Sequence, residues 1–428
     1  MHWREFPVLP ADETLFEGFR AGLDTRAARI LAYLVRRRTD PEIETAEATR
    51  LSIRIGTELG REPTIAALST LCANGLVEET TVDRERPGRP PKGWVAVHDS
   101  ETTMRLVQSH HSYGLLEQAD EVAKHFEVAL PDAWFETVDP EDVTPVDRTS
   151  LTVALNWMPN GLHAPIIAAV ESGHYERAGL DITLEPARGS GAATEHLRTG
   201  QADVALIGAA SVCSAAPESF VPLAQLRQRS LAVLYTTTER LGAPFTSVEQ
   251  VRGHRLAVTP DSEVGRLARL FLAHTGILDS VDIVAVSGEE RTALARGDAD
   301  VATGMPFDAY EFSEAGYEVS SLAVADHFPV PGPALVTTAD TLQAGPKTMH
   351  RFLMATIAGV VTVHQQPEET AVQVATQSGD AVENERWRID HAQSRAAERG
   401  VGRDHGWGRQ TVEGWERLQV ALRQEESG

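Results

Sequence analysis

The pattern that most constrains this chain begins at Leu151, where short apolar runs start to alternate with helical stretches. LTVALNW is followed by HAPIIAAVESGHYERAG, LDITLEPA, SGAATEHLRTG and ADVALIG, a β-α-β-α-β order. Parallel strands need a long crossover, and a helix laid across the sheet supplies it, so the order predicts a parallel sheet with helices on its faces. A second set follows in RLAVTP, SEVGRLARLFLAHTG, VDIVAVS, EERTALARGD and ADVATGM. Two such units in series predict two lobes over residues 149–428. LAVLYTTTERL and FPVPGPALVTTADTL read as the extended crossings between them.

Ligands of such sheets sit beyond the carboxyl ends of the strands, in the crevice between lobes. The first strand end carries Asn156, Trp157, Met158, Pro159, Asn160, Gly161, Leu162 and His163. An indole suits stacking on a flat heterocycle, and Asn156, Asn160 and His163 suit hydrogen bonds to it. Trp157 as a core residue and the asparagines as turn formers stay open beside that reading. The second end holds Gly189, Ser190 and Gly191, where glycine allows close backbone approach and free N–H groups at a helix start can hold an anion. Glycine loops also simply turn. Ser211 follows the ADVALI strand, and Pro260 to Glu263 follow RLAVT. In the last loop Asp308 and Glu311 can accept from an amino-heterocycle, or serve as acids at a helix start.

Residues 1–98 read as a separate domain. TRAARILAYLVRR places Ala28, Ile30, Leu31, Leu34 and Val35 at helical spacing behind a cap at Asp24 or Thr25. A short element, a turn at 56–60 and a helix from Pro63 to Ala73 follow, with Ile65, Leu68, Leu71 and Cys72 inward and Gly75 as the helix-ending glycine. Two strands, about 76–82 and 93–98, flank a loop rich in Arg, Pro and Gly. Helix, helix, helix and basic hairpin, with NGLVEE and RPGRPPKGW, resemble the winged helix-turn-helix transcription regulators over residues 24–98. The resemblance implies double-stranded DNA as a partner. Arg61, Glu62, Thr64, Ala67 and Thr70 would face base edges, and Arg84, Arg86, Arg89 and Lys92 would meet phosphates from the wing. Residues 99–148 read as a helix able to dimerise followed by an acidic, proline-bearing linker, with His110, His111 and His125 on the helix surface and no metal site.

Charge divides the chain the same way. Residues 24–98 carry 12 Lys/Arg against 11 Asp/Glu, net +1, while 99–428 carry 25 against 47, net −22. Such acidity keeps a surface solvated at high salt and fits a halophilic protein. Cys72 and Cys213 are too few and too far apart for a disulfide framework or a cysteine zinc site, and read as small buried residues. Residues 1–19 lack the apolar core of a secretion signal, which predicts a cytoplasmic protein without a membrane partner.

LNWMPNGLHAPIIAAVESGHYERAGLDITLEP resembles the opening of the thiamine-pyrimidine-synthesis and pyrimidine-binding-lipoprotein family. The likeness runs through GSGAATEHLRTGQADVALIG to GWGRQTVEGWERL, roughly residues 151–420. It implies an α/β, two-lobed, periplasmic-binding-protein-like (type II) fold and a thiamine-related pyrimidine or similar small heterocyclic ligand. Trp157 would stack on the ring, Asn156 and His163 would line the cleft, and Asp308 or Glu311 would follow more weakly. Family members that make the pyrimidine use a cysteine-rich iron motif and a lysine-bound pyridoxal phosphate. Here this region holds only Cys213 and Lys347. The resulting expectation is a ligand-responsive transcription regulator, not an enzyme and without cofactor, with a homodimer left open. An enzyme of thiamine-pyrimidine biosynthesis and the substrate-binding component of an ABC importer stand as alternatives.

Overall fold

The computed structural model describes residues 10–41, 43, 45–82, 90–132, 134–142, 148–215, 217–397 and 406–427. Thirteen strands among them form three sheets. In chain order the strands are β1 Ala48–Thr49, β2 Val77–Thr81, β3 Lys92–Ala96, β4 Thr149–Leu155, β5 Leu180–Pro186, β6 Val204–Ile207 and β7 Phe220–Gln225. They continue with β8 Val233–Thr237, β9 Arg255–Val258, β10 Asp282–Ala285, β11 Val301–Gly304, β12 Val319–Ala323 and β13 Ala334–Thr338.

The first lobe is the sheet β5-β4-β6-β13-β7 and the second is β10-β9-β11-β8-β12. The pairs β4–β5, β4–β6, β9–β10 and β9–β11 are parallel, as helical crossovers require. β8 and β13 run against all their neighbours, so the sheets are mixed instead of parallel. The reason is the route of the chain. β7 and β12 end on the cleft side, and a chain crossing there enters the other sheet from its cleft-facing edge. It must then run away from the cleft, against the strands that point toward it. Both segments expected as plain crossings therefore contain a strand.

The N-terminal region packs the helices Thr25–Thr39, Arg50–Thr57 and Arg61–Ala73 on a sheet of order β1-β3-β2. The β2–β3 hairpin is in register from Val77 opposite Ala96 to Thr81 opposite Lys92. Asp24 caps the first of these helices by accepting from the Arg26 and Ala27 amides. Gly75, at φ +66°, ends the third, with Leu76 N–H returning to Leu71 O at 3.0 Å. Ile30, Leu31, Leu34, Ile53, Leu71 and Trp94 make the core. A further helix, Pro10–Arg20, adds Phe16 and Phe19 to it, and the Gln365 amide donates to Thr14 O at 3.1 Å.

The helix Ser100–His125 begins at the Asp99 cap and runs into the core of the first lobe with Leu115, Leu116 and Ala119. The tract after it is not a free linker over its described part. Trp134 and Val138 are buried, and the Trp134 indole donates to Asp120 Oδ1 at 2.9 Å. His111 is likewise not on the surface. It is buried, and its Nε2–H donates to Trp407 O at 2.5 Å. Both cysteines are half-buried. No group of His, Cys, Asp and Glu among the described residues is placed to hold a metal ion.

Candidate ligand site

The loop after β4 is built around one histidine. The Asn160 amide donates to His163 Nδ1 at 3.3 Å, which leaves the proton on Nε2 to donate to Asn156 Oδ1 at 3.0 Å. Burial, with Arg227 nearby, holds the ring neutral by lowering its pKa to about 3. Asn160 Oδ1 caps the following turn by accepting from Leu162 N–H at 2.8 Å, and its Nδ2 donates to Met158 O. Arg227, on the first crossing, donates to Leu162 O. Asn156, Asn160 and His163 therefore spend much of their hydrogen-bonding capacity on fixing the loop. Trp157 is what the loop presents: it is 54% exposed, so it is not a core residue.

The neighbouring loops join this one. Gly189 sits at φ +97°, which only glycine adopts without strain, and its N–H reaches Asn156 O at 3.1 Å. Ser190 starts the helix Ser190–Arg198, is buried, and accepts from Gly208 N–H at 3.0 Å. Gly191 is exposed beside it. Ser211 is buried, but its N–H and hydroxyl both donate to Glu263, the last residue of the strand-end loop after RLAVT.

In the second lobe Asp308 accepts from Met305 N–H at 2.6 Å and so caps its own helix, Pro306–Glu314, while burial raises its pKa. Glu311 pairs with Arg291. Sequence reasoning missed Trp387, which stacks on Tyr310 at 4.6 Å and 20° from the helix Val382–Ala397. Lys347 is exposed near the start of the helix Pro346–Gln365, beyond the end of β13 that points away from the cleft.

On the N-terminal region, the Arg61 side chain is 71% exposed. Thr64 and Ala67 are not on the outer face. Both are buried, and the Thr64 hydroxyl donates to Gly60 O at 2.8 Å within its own helix. Glu62, Ala66, Ser69 and Thr70 form the exposed face with Arg61. Lys92 is exposed and pairs with Glu79 at 2.6 Å. Arg84, Arg86 and Arg89 lie outside the described residues.

Residues 160–370 match the family described as NMT1/THI5 like. None of the curated proteins matches the chain. Among solved structures, a Bordetella bronchiseptica RB50 protein is 17% identical with a TM-score of 0.51, covering 65% of this chain and 91% of that one. A Candida albicans gene product described as having the generic periplasmic binding protein fold is 16% identical with a TM-score of 0.50, over 65% and 91%. The periplasmic aliphatic sulphonate binding protein SsuA from Escherichia coli is 14% identical with a TM-score of 0.49, over 57% and 84%. The likeness shows a periplasmic-binding-protein-like α/β fold. Against the cytoplasmic placement expected from sequence stands the description of SsuA from Escherichia coli and of the nitrate-binding protein NrtA from Synechocystis PCC 6803 as periplasmic proteins. No helix among the described residues is long and apolar enough to cross a membrane.

Proposed function

We propose that residues 149–428 bind a small flat heterocycle between the two lobes, as the substrate-binding component of an importer does, and that the chain performs no chemistry on it. The observation that carries this is Trp157: an exposed indole held on a loop whose backbone is locked by a neutral, fully occupied histidine. Such preorganisation lowers the entropy that binding would otherwise cost. A synthase that consumed a lysine-bound cofactor would need an amine in the cleft, and Lys347 lies on the far side of its sheet. Thermal-shift measurements against thiamine, its pyrimidine precursors, riboflavin precursors and pyridoxal derivatives test the reading. A true ligand raises the melting temperature with concentration, and no rise with any of them removes the heterocycle.

A second reading is favoured by the N-terminal region and by Trp407. In it the chain is a ligand-responsive DNA-binding regulator, with paired N-terminal units on a palindromic operator. The Trp407 N–H donates to Ala21 O at 2.8 Å, its carbonyl accepts from His111, and its indole donates to Leu226 O at 3.3 Å. Ala21 belongs to the turn between the first two helices, and Leu226 opens the first crossing between lobes. One residue thus ties the N-terminal helices to the hinge, so lobe closure has a physical route to them. Binding of duplex DNA that changes with ligand supports this reading. Absence of DNA binding at every salt concentration, with and without ligand, removes it.

A further inference from the structure

Glu263 is the first residue of the second-lobe helix Glu263–His274, yet its carboxylate lies in the first lobe's hydrogen-bonding shell. Oε1 accepts from Ala210 N–H at 3.0 Å, and Oε2 accepts from Ser211 N–H at 2.8 Å and from the Ser211 hydroxyl at 2.7 Å. A β-carbon on Gly208 would overlap the carboxylate, so glycine there is what admits it. Arg266, one turn further along the same helix, donates to the Ser211 hydroxyl at 3.1 Å. Burial pushes the carboxyl pKa up, and these donors oppose that shift without reversing it.

The helix Val382–Ala397 grips both lobes at a second place. Glu385 is completely buried and accepts from Gly161 N–H, in the first-lobe loop, at 2.6 Å. A β-carbon on Gly161 would stand 2.6 Å from Glu385 O, so this contact also depends on glycine. Two residues on, Trp387 stacks on Tyr310 of the second lobe, and Arg388 lies 3.5 Å from the Phe307 ring centre while pairing with Glu385 at 2.7 Å. Arg395 adds an ion pair to Asp326, on the second crossing, at 3.0 Å.

In hinge-closing proteins the ligand usually makes the contacts that bridge the lobes and so selects the closed state. Here side chains of the chain make them. We propose that this chain latches its own lobes: Glu263 and the helix Val382–Ala397 hold the cleft closed without ligand, and ligand exchange requires their release. The inference rests on the cleft being the binding site, but the closure can be measured with no ligand present.

The experiment is a distance measurement between nitroxides on the full chain, after unfolding and refolding to strip any carried ligand. Labels go on Gln201→Cys in the first lobe and Asp279→Cys in the second, both exposed, with Cys72 and Cys213 changed to alanine. The parent is expected to give one narrow distance distribution. Glu263→Ala is expected to add a population longer by roughly 5 Å or more, Trp387→Ala a smaller one, and the double variant to be mostly open. Glu263→Gln keeps an acceptor for the Ser211 donors but turns its NH2 toward the Ala210 N–H, so its longer-distance population should be smaller than that of Glu263→Ala and so separate latching from general damage. A broad or long distribution in the refolded parent overturns the proposal, as does an unchanged distribution in the double variant. Failure of every heterocycle to raise the melting temperature would strike the binding reading alone and leave the latch standing.

Discussion

The two lobes share one strand order and differ in almost everything packed around it. In the first, every residue of β6 and β7 is buried, and the long helices Ser100–His125, Pro346–Gln365 and Val412–Ser427 contribute to its core. In the second, β10 and β12 are mostly half-buried or exposed; one face of the sheet, with Leu256, Leu267, Phe271 and Val301, joins the same core as the first lobe, and a small separate cluster around Tyr235, Leu294 and Phe312 fills the side carrying Glu290–Arg296 and Pro306–Glu314. One topology therefore serves as a frame in one lobe and as a lighter, more readily opened body in the other. Regions with fewer buried apolar contacts open at lower free energy.

The strongest way to break this comparison is through the cores. Leu206→Ala in β6 should cost about 4 kcal/mol and Leu322→Ala in β12 about 2 kcal/mol, since the cavity left in a densely covered sheet collapses less. Urea unfolding would measure both. Equal losses would mean that the lobes are equally well packed and that the frame description fails.

Titratable groups divide the lobes in the opposite sense, and pH separates them next. The first lobe holds neutral histidines: buried His163 with its pKa near 3, and half-buried His174 near 4, each lowered chiefly by removal from solvent. The second lobe buries carboxyls, Glu263 and Asp308, whose pKa values are raised by burial. A histidine with a lowered folded pKa contributes stability that is present above its unfolded value and lost as pH falls from about 6.5 toward the folded value. A carboxyl with a raised folded pKa contributes in the other direction, losing its share as pH rises. Acidification should therefore weaken the first lobe while sparing the second. His163 alone accounts for about 2 kcal/mol between pH 6.5 and pH 4.5. Unfolding curves for the parent and for His163→Gln at several pH values would show it. The variant, less stable at neutral pH, should have the shallower acid limb, and parallel limbs would mean that His163 is not buried neutral.

The alternation of apolar runs with helices made the two-lobed plan legible, because each run is long enough for a strand and each gap for a crossover. The reversed direction of β8 and β13 was not legible, since it depends on which end of a sheet the crossing chain enters. The loop at 156–163 stood out by its indole, but sequence does not say that His163 finds both its partners inside the loop. The inward face of the helix Arg61–Ala73 was misread at Thr64 because a hydroxyl satisfied by its own helix can be buried like a small apolar side chain. Glu263 stands in the sequence only as the last residue of the loop after RLAVT, and nothing local reveals that its partners belong to the other lobe.

Trp157 sharpens the comparison from the ligand's side. Because the indole is half-exposed, Trp157→Ala should leave unfolding within about 0.5 kcal/mol of the parent. Loss of its stacking on a bound ring should weaken a heterocycle found by thermal shift by about 1 kcal/mol, several-fold to tenfold in Kd, by calorimetry. Tyr310→Ala in the second lobe removes the surface on which Trp387 stacks, so it should alter lobe spacing as well as affinity. If both variants lost affinity with unchanged lobe spacing, the second lobe would be as rigid as the first.

The smallest expected effect concerns the N-terminal region, whose near-neutral charge sets it apart from both acidic lobes. Lys92 and Glu79 form an exposed pair, worth about 0–1 kcal/mol, so Lys92→Ala should hardly change stability. If β3 presents that ammonium to a phosphate, the same substitution should weaken duplex DNA binding uniformly across sequences. It should also reduce the slope of log K against log salt by about 1. Fluorescence anisotropy over a salt series measures both, with Arg198→Ala in the first lobe as the control, since Arg198 is an equally exposed cation already paired with Glu195. An equal change in slope for the two variants would mean that any DNA contact is diffuse attraction to scattered arginines. A change confined to Lys92 would place the contact on the hairpin, where Trp407 can connect it to the hinge.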